Sequence, residues 1–146
     1  MILLKKISKS LNATEEYLGN QMKEHHVGIK VSQLEKNIEL YTKLGYHQVS
    51  PITVDKIQNN KIVFLENQSH RVELIESLNE KSSIFHFKDG YHHICYEAEH
   101  DEDIIKAFKE ERIGRVFTKP IVAPALENRK VVFACLQNGI FIELIL

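Results

Sequence analysis

Eight residues, Glu24-His25-His26-Val27-Gly28-Ile29-Lys30-Val31, recur in pattern as Tyr91-His92-His93-Ile94-Cys95-Tyr96-Glu97-Ala98. In each, a His-His pair opens a run of alternating apolar residues. Such an echo within one chain marks a duplicated unit, and it restricts the chain to folds made of two like halves packed together. Each run has a later companion in which one glutamate sits among apolar neighbours, Val72-Glu73-Leu74-Ile75 and Ile142-Glu143-Leu144-Ile145. Glu73 follows His26 by 47 positions and Glu143 follows His93 by 50, so the offsets nearly agree.

The pattern between these anchors is the same in both halves. His25 to Val31 alternates with period two, with Val27, Ile29 and Val31 on one face and His26, Gly28 and Lys30 on the other. Ser32-Gln33-Leu34-Glu35 has the form of a capping box opening a helix, Leu34, Ile38 and Tyr41 follow at helical spacing, and Gly45 stops it. Tyr46 to Val54 reads as a strand broken near Pro51, then Lys61 to Leu65 and Arg71 to Glu76 as two more. Glu76 reads as a solvated strand end. After a polar connection over 77–90, with an apolar spot at Ile84 to Phe87, His92 to Ala98 is the next strand. Asp101 is placed to cap a second helix whose core face is Ile104, Ile105, Phe108 and Ile113, and Gly114 to end it. A strand over Val116 to Val122 follows, then a hairpin of Lys130 to Leu136 and Ile140 to Leu146 across Asn138-Gly139, a pair suited to a type I′ turn. Both halves are β-α-β-β-β. The pattern predicts an α+β fold of two modules, 24–76 and 91–146, within one unit spanning 24–146. Residues 1–23 precede the repeat as a short extension, with a helix expected near 13–22 from Asn12, Glu15 and an apolar stripe.

The chemical content is two imidazoles and two carboxylates, one of each per half. Pairing the halves about a pseudo-two-fold axis would bring His26, Glu73, His93 and Glu143 to one cleft. That donor set suits a divalent first-row metal: Zn, Co, Ni, Mn or Fe(II). A cation also accounts for carboxylates among Leu, Ile and Val, whose burial would otherwise be costly. His25 and His92 alternate to the opposite face and read as non-ligands. His47, His70, His86 and His100 lack any partner pattern and are expected on the surface. Cys95 shares the face of His93, either lining the cleft or filling a small core position.

Composition removes several function classes. Lys and Arg total 19 against 20 for Asp and Glu, a formal net charge of −1, so no basic field for nucleic acid is present. No apolar run approaches the ~20 residues of a membrane span, and Met1-Ile2-Leu3-Leu4-Lys5-Lys6 is not built as a secretory signal. Two cysteines, Cys95 and Cys135, fall inside expected strands without a CxxC spacing, which points to reduced thiols and a cytoplasmic protein.

At these residues the sequence resembles the vicinal oxygen chelate superfamily, also called glyoxalase/bleomycin-resistance/dioxygenase proteins. The matching pieces are His26 to Val31, Val63-Phe64-Leu65 leading to Val72-Glu73-Leu74-Ile75, Tyr91 to Glu97, and Gly139-Ile140-Phe141-Ile142-Glu143-Leu144. The resemblance implies paired βαβββ modules forming an open, barrel-like cup around one metal held by His26, Glu73, His93 and Glu143. Within the superfamily the pattern is most like that of methylmalonyl-CoA epimerases or glyoxalase I. It implies an isomerase or lyase that removes a proton α to a carbonyl or thioester, with Glu143 or Glu73 as base, a small-molecule substrate of the acyl-thioester or hemithioacetal class, and a homodimer. Epimerases of this type carry a further acid/base glutamate before the third strand; the gap-free equivalent here is Ile57, with Asp55 and Gln58 beside it. The alternatives are an extradiol-type dioxygenase, which uses two His and one Glu, and a non-catalytic binder of an antibiotic or metabolite, which would not need the metal residues.

Overall fold

The structure, a computed structural model, describes residues 22–98 and 101–146, without the side chains of 101–103. The helix expected near 13–22, His100 and the capping role of Asp101 lie outside what it describes; Met22 itself opens the first strand.

The elements in chain order are β1 (Met22–Lys30), α1 (Leu34–Lys43), β2 (His47–Gln48), β3 (Thr53–Asp55), β4 (Asn60–Asn67) and β5 (His70–Ser77), then β6 (Gly90–Ala98), α2 (Asp101–Glu110), β7 (Gly114–Val116), β8 (Ile121–Ala123), β9 (Arg129–Leu136) and β10 (Phe141–Ile145). One mixed sheet runs β2-β4-β5-β1-β6-β10-β9-β7, with β3 also on β4 and β8 also on β9. Its two ends do not pair, so it curves into an open cup. The α+β architecture of two βαβββ modules is therefore present in one chain. Where the sequence predicts one second strand per module, each is split in two, at Pro51 in the first and across 117–120 in the second.

The module seam is the antiparallel pair β1/β6, and each module closes with a parallel pair, β1/β5 and β6/β10. The registers match: Gly28 lies opposite Glu73 and Cys95 opposite Glu143, while across the seam Gly28 faces His93 and His26 faces Cys95. One pseudo-two-fold axis thus exchanges His26 with His93, Gly28 with Cys95 and Glu73 with Glu143.

Period-two alternation separates the two faces as the sequence predicts. Ile29, Val63, Leu65, Val72 and Leu74 pack under α1 with Leu34, and Val132, Ala134, Ile142 and Leu144 under α2 with Ile104 and Phe108. The opposite, concave face carries Ile62, Phe64, Ile75, Cys95, Val131 and Ile145, and on it lie His26, Glu73, His93 and Glu143. Ile105 is exposed, a correction to the expected core face of α2; Ala107 is buried instead.

Local signals at element ends held less well, because distant groups reach these ends. Gln33, at the N-cap of α1, makes no side-chain cap bond. Ser32 donates to Asp89, and the Leu34 N–H is accepted by Glu76 Oε2 at 2.7 Å. Glu76, expected as a solvated strand end, is therefore the cap of α1 and lies 3.6 Å from Lys61 as well. Gly45 does end α1, with φ +94°. After α2, Arg112 takes the left-handed position at φ +52°, not Gly114, which lies in β7 where a Cβ would strike the Cys135 carbonyl. In the β9–β10 hairpin only Gly139 has positive φ, so the turn is not type I′. The Gly139 N–H donates to Leu136 O and the Leu136 N–H to Ile140 O, a turn followed by a glycine bulge.

Candidate metal centre

The cup brings all four sequence-predicted residues together. His26 Nε2 lies 3.2 Å from His93 Nε2, and 3.5 Å from both Glu73 Oε2 and Glu143 Oε1. His93 Nε2 lies 3.7 Å from Glu73 Oε1 and 3.9 Å from Glu143 Oε1. Bonds of about 2.1 Å to one ion set neighbouring donors roughly 3.0–3.5 Å apart, so His26, Glu73 and His93 stand only slightly wider than a filled coordination shell, with Glu143 within 3.9 Å of both imidazoles. All four side chains are almost fully buried.

Burial sets the electrostatics. Desolvation, then repulsion with any positive charge on His93, on His25 and on Arg71, holds His26 well below the usual imidazole range, and burial lowers His93 to about 3. Both rings are therefore neutral near pH 7, the state a metal ligand needs. Burial pushes the Glu73 carboxyl well up, helped by the negative charges of Glu143 and Asp55, and raises Glu143 to about 7. Glu143 Oε1 is buried with no hydrogen-bond partner among the described residues. An orphaned, desolvated carboxylate oxygen beside two neutral imidazoles is the arrangement a divalent cation satisfies, so the donor set fits such an ion.

Gly28 is required by this geometry. A Cβ there would enter the His93 ring, because the seam puts Gly28 directly opposite that residue. Cys95, its pseudo-symmetric counterpart, faces His26 and is small for the same reason. Burial and Glu143 push its thiol up, so it stays protonated as a core residue.

The face expected for His25 and His92 needs correction. Between the pairs Glu24/Tyr96 and His26/Cys95 the register slips by one, leaving His25 as an extra residue; between Gly28/His93 and Ile29/Tyr91 it slips again, leaving His92. These β-bulges interrupt strict alternation and re-aim both rings. Each bonds a proposed ligand: His25 Nδ1 lies 2.8 Å from His26 Nδ1, and His92 Nδ1 2.8 Å from His93 Nδ1. Only the His-His doubling in both modules hinted at this. Of the other histidines, His47, His70 and His86 are exposed as expected.

A cavity of about 280 Å³ opens onto Glu73, His93 and Glu143. Its walls include Phe87, Phe117, Phe133 and Phe141, with Ile57 and Lys81 also lining it. Lys30, buried on the same face as His26, donates to the carbonyls of Phe85 and Phe87 and so ties the 77–90 connection beside this cavity. Asp55 also lines it, but Oδ1 accepts the backbone N–H groups of Ile57 and Gln58, each at 2.9 Å. No helix among the described residues is long and apolar enough to cross a membrane.

The sequence signature of the glyoxalase/bleomycin resistance protein/dioxygenase superfamily matches residues 25–133. The chain belongs to that superfamily. It is 26% identical over 128 residues to the mitochondrial methylmalonyl-CoA epimerase of Dictyostelium discoideum, across 82% of this chain and 75% of that one. Among solved structures it resembles a hypothetical protein of Bacillus halodurans C-125, with a TM-score of 0.75 and 25% identity over 85% of this chain and 93% of that one. It also shares its fold with a Streptomyces coelicolor methylmalonyl-CoA epimerase variant in complex with 2-nitronate-propionyl-CoA (TM-score 0.72, 19% identity, 86% and 94% covered).

Proposed function

We propose that this protein is a divalent-metal-dependent isomerase that removes and returns a proton α to the carbonyl of an acyl thioester, in the manner of methylmalonyl-CoA epimerases. The observation that carries this is the buried quartet of His26, Glu73, His93 and Glu143 with the orphaned Glu143 oxygen at the end of an open cavity. These four residues would hold the metal, with residues 24–146 acting as one unit. The ion would supply Lewis-acid stabilisation of the negative charge that develops on the substrate oxygen.

The chain's own groups then divide the remaining work. Glu143 and Glu73 both line the cavity through which substrate would reach the site, so either carboxylate is placed to take the α-proton. Ile57, at the position matching the epimerases' additional acid/base glutamate, cannot carry a proton, and the Asp55 carboxylate beside it accepts the Ile57 and Gln58 backbone N–H groups at Oδ1 and the Gln58 side-chain amide at Oδ2. Proton transfer thus falls to the quartet glutamates. The phenylalanine walls exclude water and seat the acyl part of the substrate. The epimerase relatives are named for methylmalonyl-CoA, which supports the acyl-CoA class.

The test is deuterium uptake at the α-carbon of acyl-CoA thioesters in deuterated buffer, with metal-loaded protein. Exchange that disappears in Glu143→Gln or Glu73→Gln supports the reading. Absence of exchange in wild type with metal bound, together with oxygen consumption on a catechol, would replace it with a dioxygenase.

A further inference from the structure

We propose that Arg71 is a positioning residue that holds the His25–His26 pair in the proton order opposed to metal binding, so that metal entering at His26 breaks the Arg71–His25 hydrogen bond. The inference rests on the metal reading above. It begins with a chain of contacts leading away from the site. His26 Nδ1 lies 2.8 Å from His25 Nδ1, and His25 Nε2 lies 2.7 Å from Arg71 Nη1. Arg71 is itself anchored, its Nε donating to Glu66 Oε1 at 2.8 Å.

A guanidinium can only donate. His25 Nε2 must therefore accept, which puts the single proton of that neutral ring on Nδ1. That N–H donates to His26 Nδ1, and the His26 proton is left on Nε2, where its hydrogen-bond partner is His93 Nε2 at 3.2 Å. A metal ligand needs the Nε2 lone pair. In the metal-bound order His26 carries its proton on Nδ1, His25 Nδ1 accepts it, and the His25 proton sits on Nε2. There it points at the Arg71 N–H, and two donors cannot share a contact. The two rings carry two protons in both orders: one crosses between the Nδ1 atoms, and the other leaves His26 Nε2 and is restored at His25 Nε2 through water.

The second module supplies an internal comparison. His92 and His93 repeat the Nδ1–Nδ1 contact at 2.8 Å. The His92 ring instead packs against Phe87 and Phe141, and no Arg or Lys is hydrogen-bonded to it among the described residues. His93 is free to take the metal-bound order, and His26 is not. The two imidazoles are alike by symmetry and unlike in readiness.

The test uses the full chain, with Zn²⁺ titrated against a chelating dye, in wild type and Arg71→Met. Removing the opposing donor is expected to tighten Zn²⁺ binding about tenfold, the lower end of what partners of metal-bound histidines contribute. A ¹⁵N spectrum of the histidine rings reads the switch directly in wild type. His25 Nε2 should be an unprotonated acceptor before Zn²⁺ and protonated after, while the His92 ring keeps an accepting Nδ1 when loaded. Equal or weaker binding by a folded Arg71→Met protein overturns the proposal, as does a His25 Nε2 that stays unprotonated in the Zn²⁺-loaded wild type. If Arg71→Met does not fold, the wild-type spectrum decides alone. A wild type that takes up no Zn²⁺ would remove the metal reading and this inference with it, whereas uptake without the nitrogen switch removes this inference only.

Discussion

Replacing Glu143 by Gln should stabilise the metal-free protein at pH 8 and leave it unchanged at pH 4. Glu143 is almost fully buried, and its carboxyl is raised from 4.5 to about 7, chiefly by desolvation. A group whose folded value lies above its unfolded value binds its proton more tightly in the native state. Its contribution is favourable to folding below 4.5, is lost as pH rises from 4.5 through 7, and stays lost above. At roughly 1.4 kcal/mol per pH unit, that displacement costs wild type about 3 kcal/mol at pH 8. The amide keeps the shape without the charge, so the substitution removes the cost. The assay is urea unfolding of both proteins in excess chelator at pH 4 and pH 8. With Zn²⁺ present the order should reverse at pH 8, because wild type gains the fourth ligand and the variant does not. A Glu143→Gln protein no more stable than wild type at pH 8 in chelator, or a difference that does not change with pH, would refute the account of Glu143 as a desolvated carboxylate with one unpaired oxygen.

Gly28→Ala should cost about 1–3 kcal/mol of stability, the range for overpacking, and should also weaken Zn²⁺ binding by displacing the His93 ring it would strike. Thermal unfolding and dye competition on the one variant check both effects. Glu76→Ala should destabilise by about 1 kcal/mol, as loss of a helix cap does, whereas Ser32→Ala should leave α1 unaffected, since Ser32 bonds Asp89 and not the helix; urea unfolding of the pair separates them.

Which strand residues turn to the concave face could be read from local pattern. Alternation along β1, β5, β6 and β10 is a local property of extended backbone, with successive side chains on opposite faces, so the echo of His26 in His93 and of Glu73 in Glu143 was enough to name the quartet. What alternation could not give is where it breaks. The bulges that turn His25 and His92 onto the proposed ligands exist only because β1 and β6 pair across the module seam with two register slips. The same holds for the cap of α1, where Glu76 reaches Leu34 from 42 positions away and displaces a capping box that was sound as local pattern. Arg71, which reaches His25 over 46 positions, carried no signal at all. Local periodicity is written residue by residue. Register, capping across strands and proton order along a hydrogen-bonded chain depend on which distant groups meet, and only the folded sheet decides that.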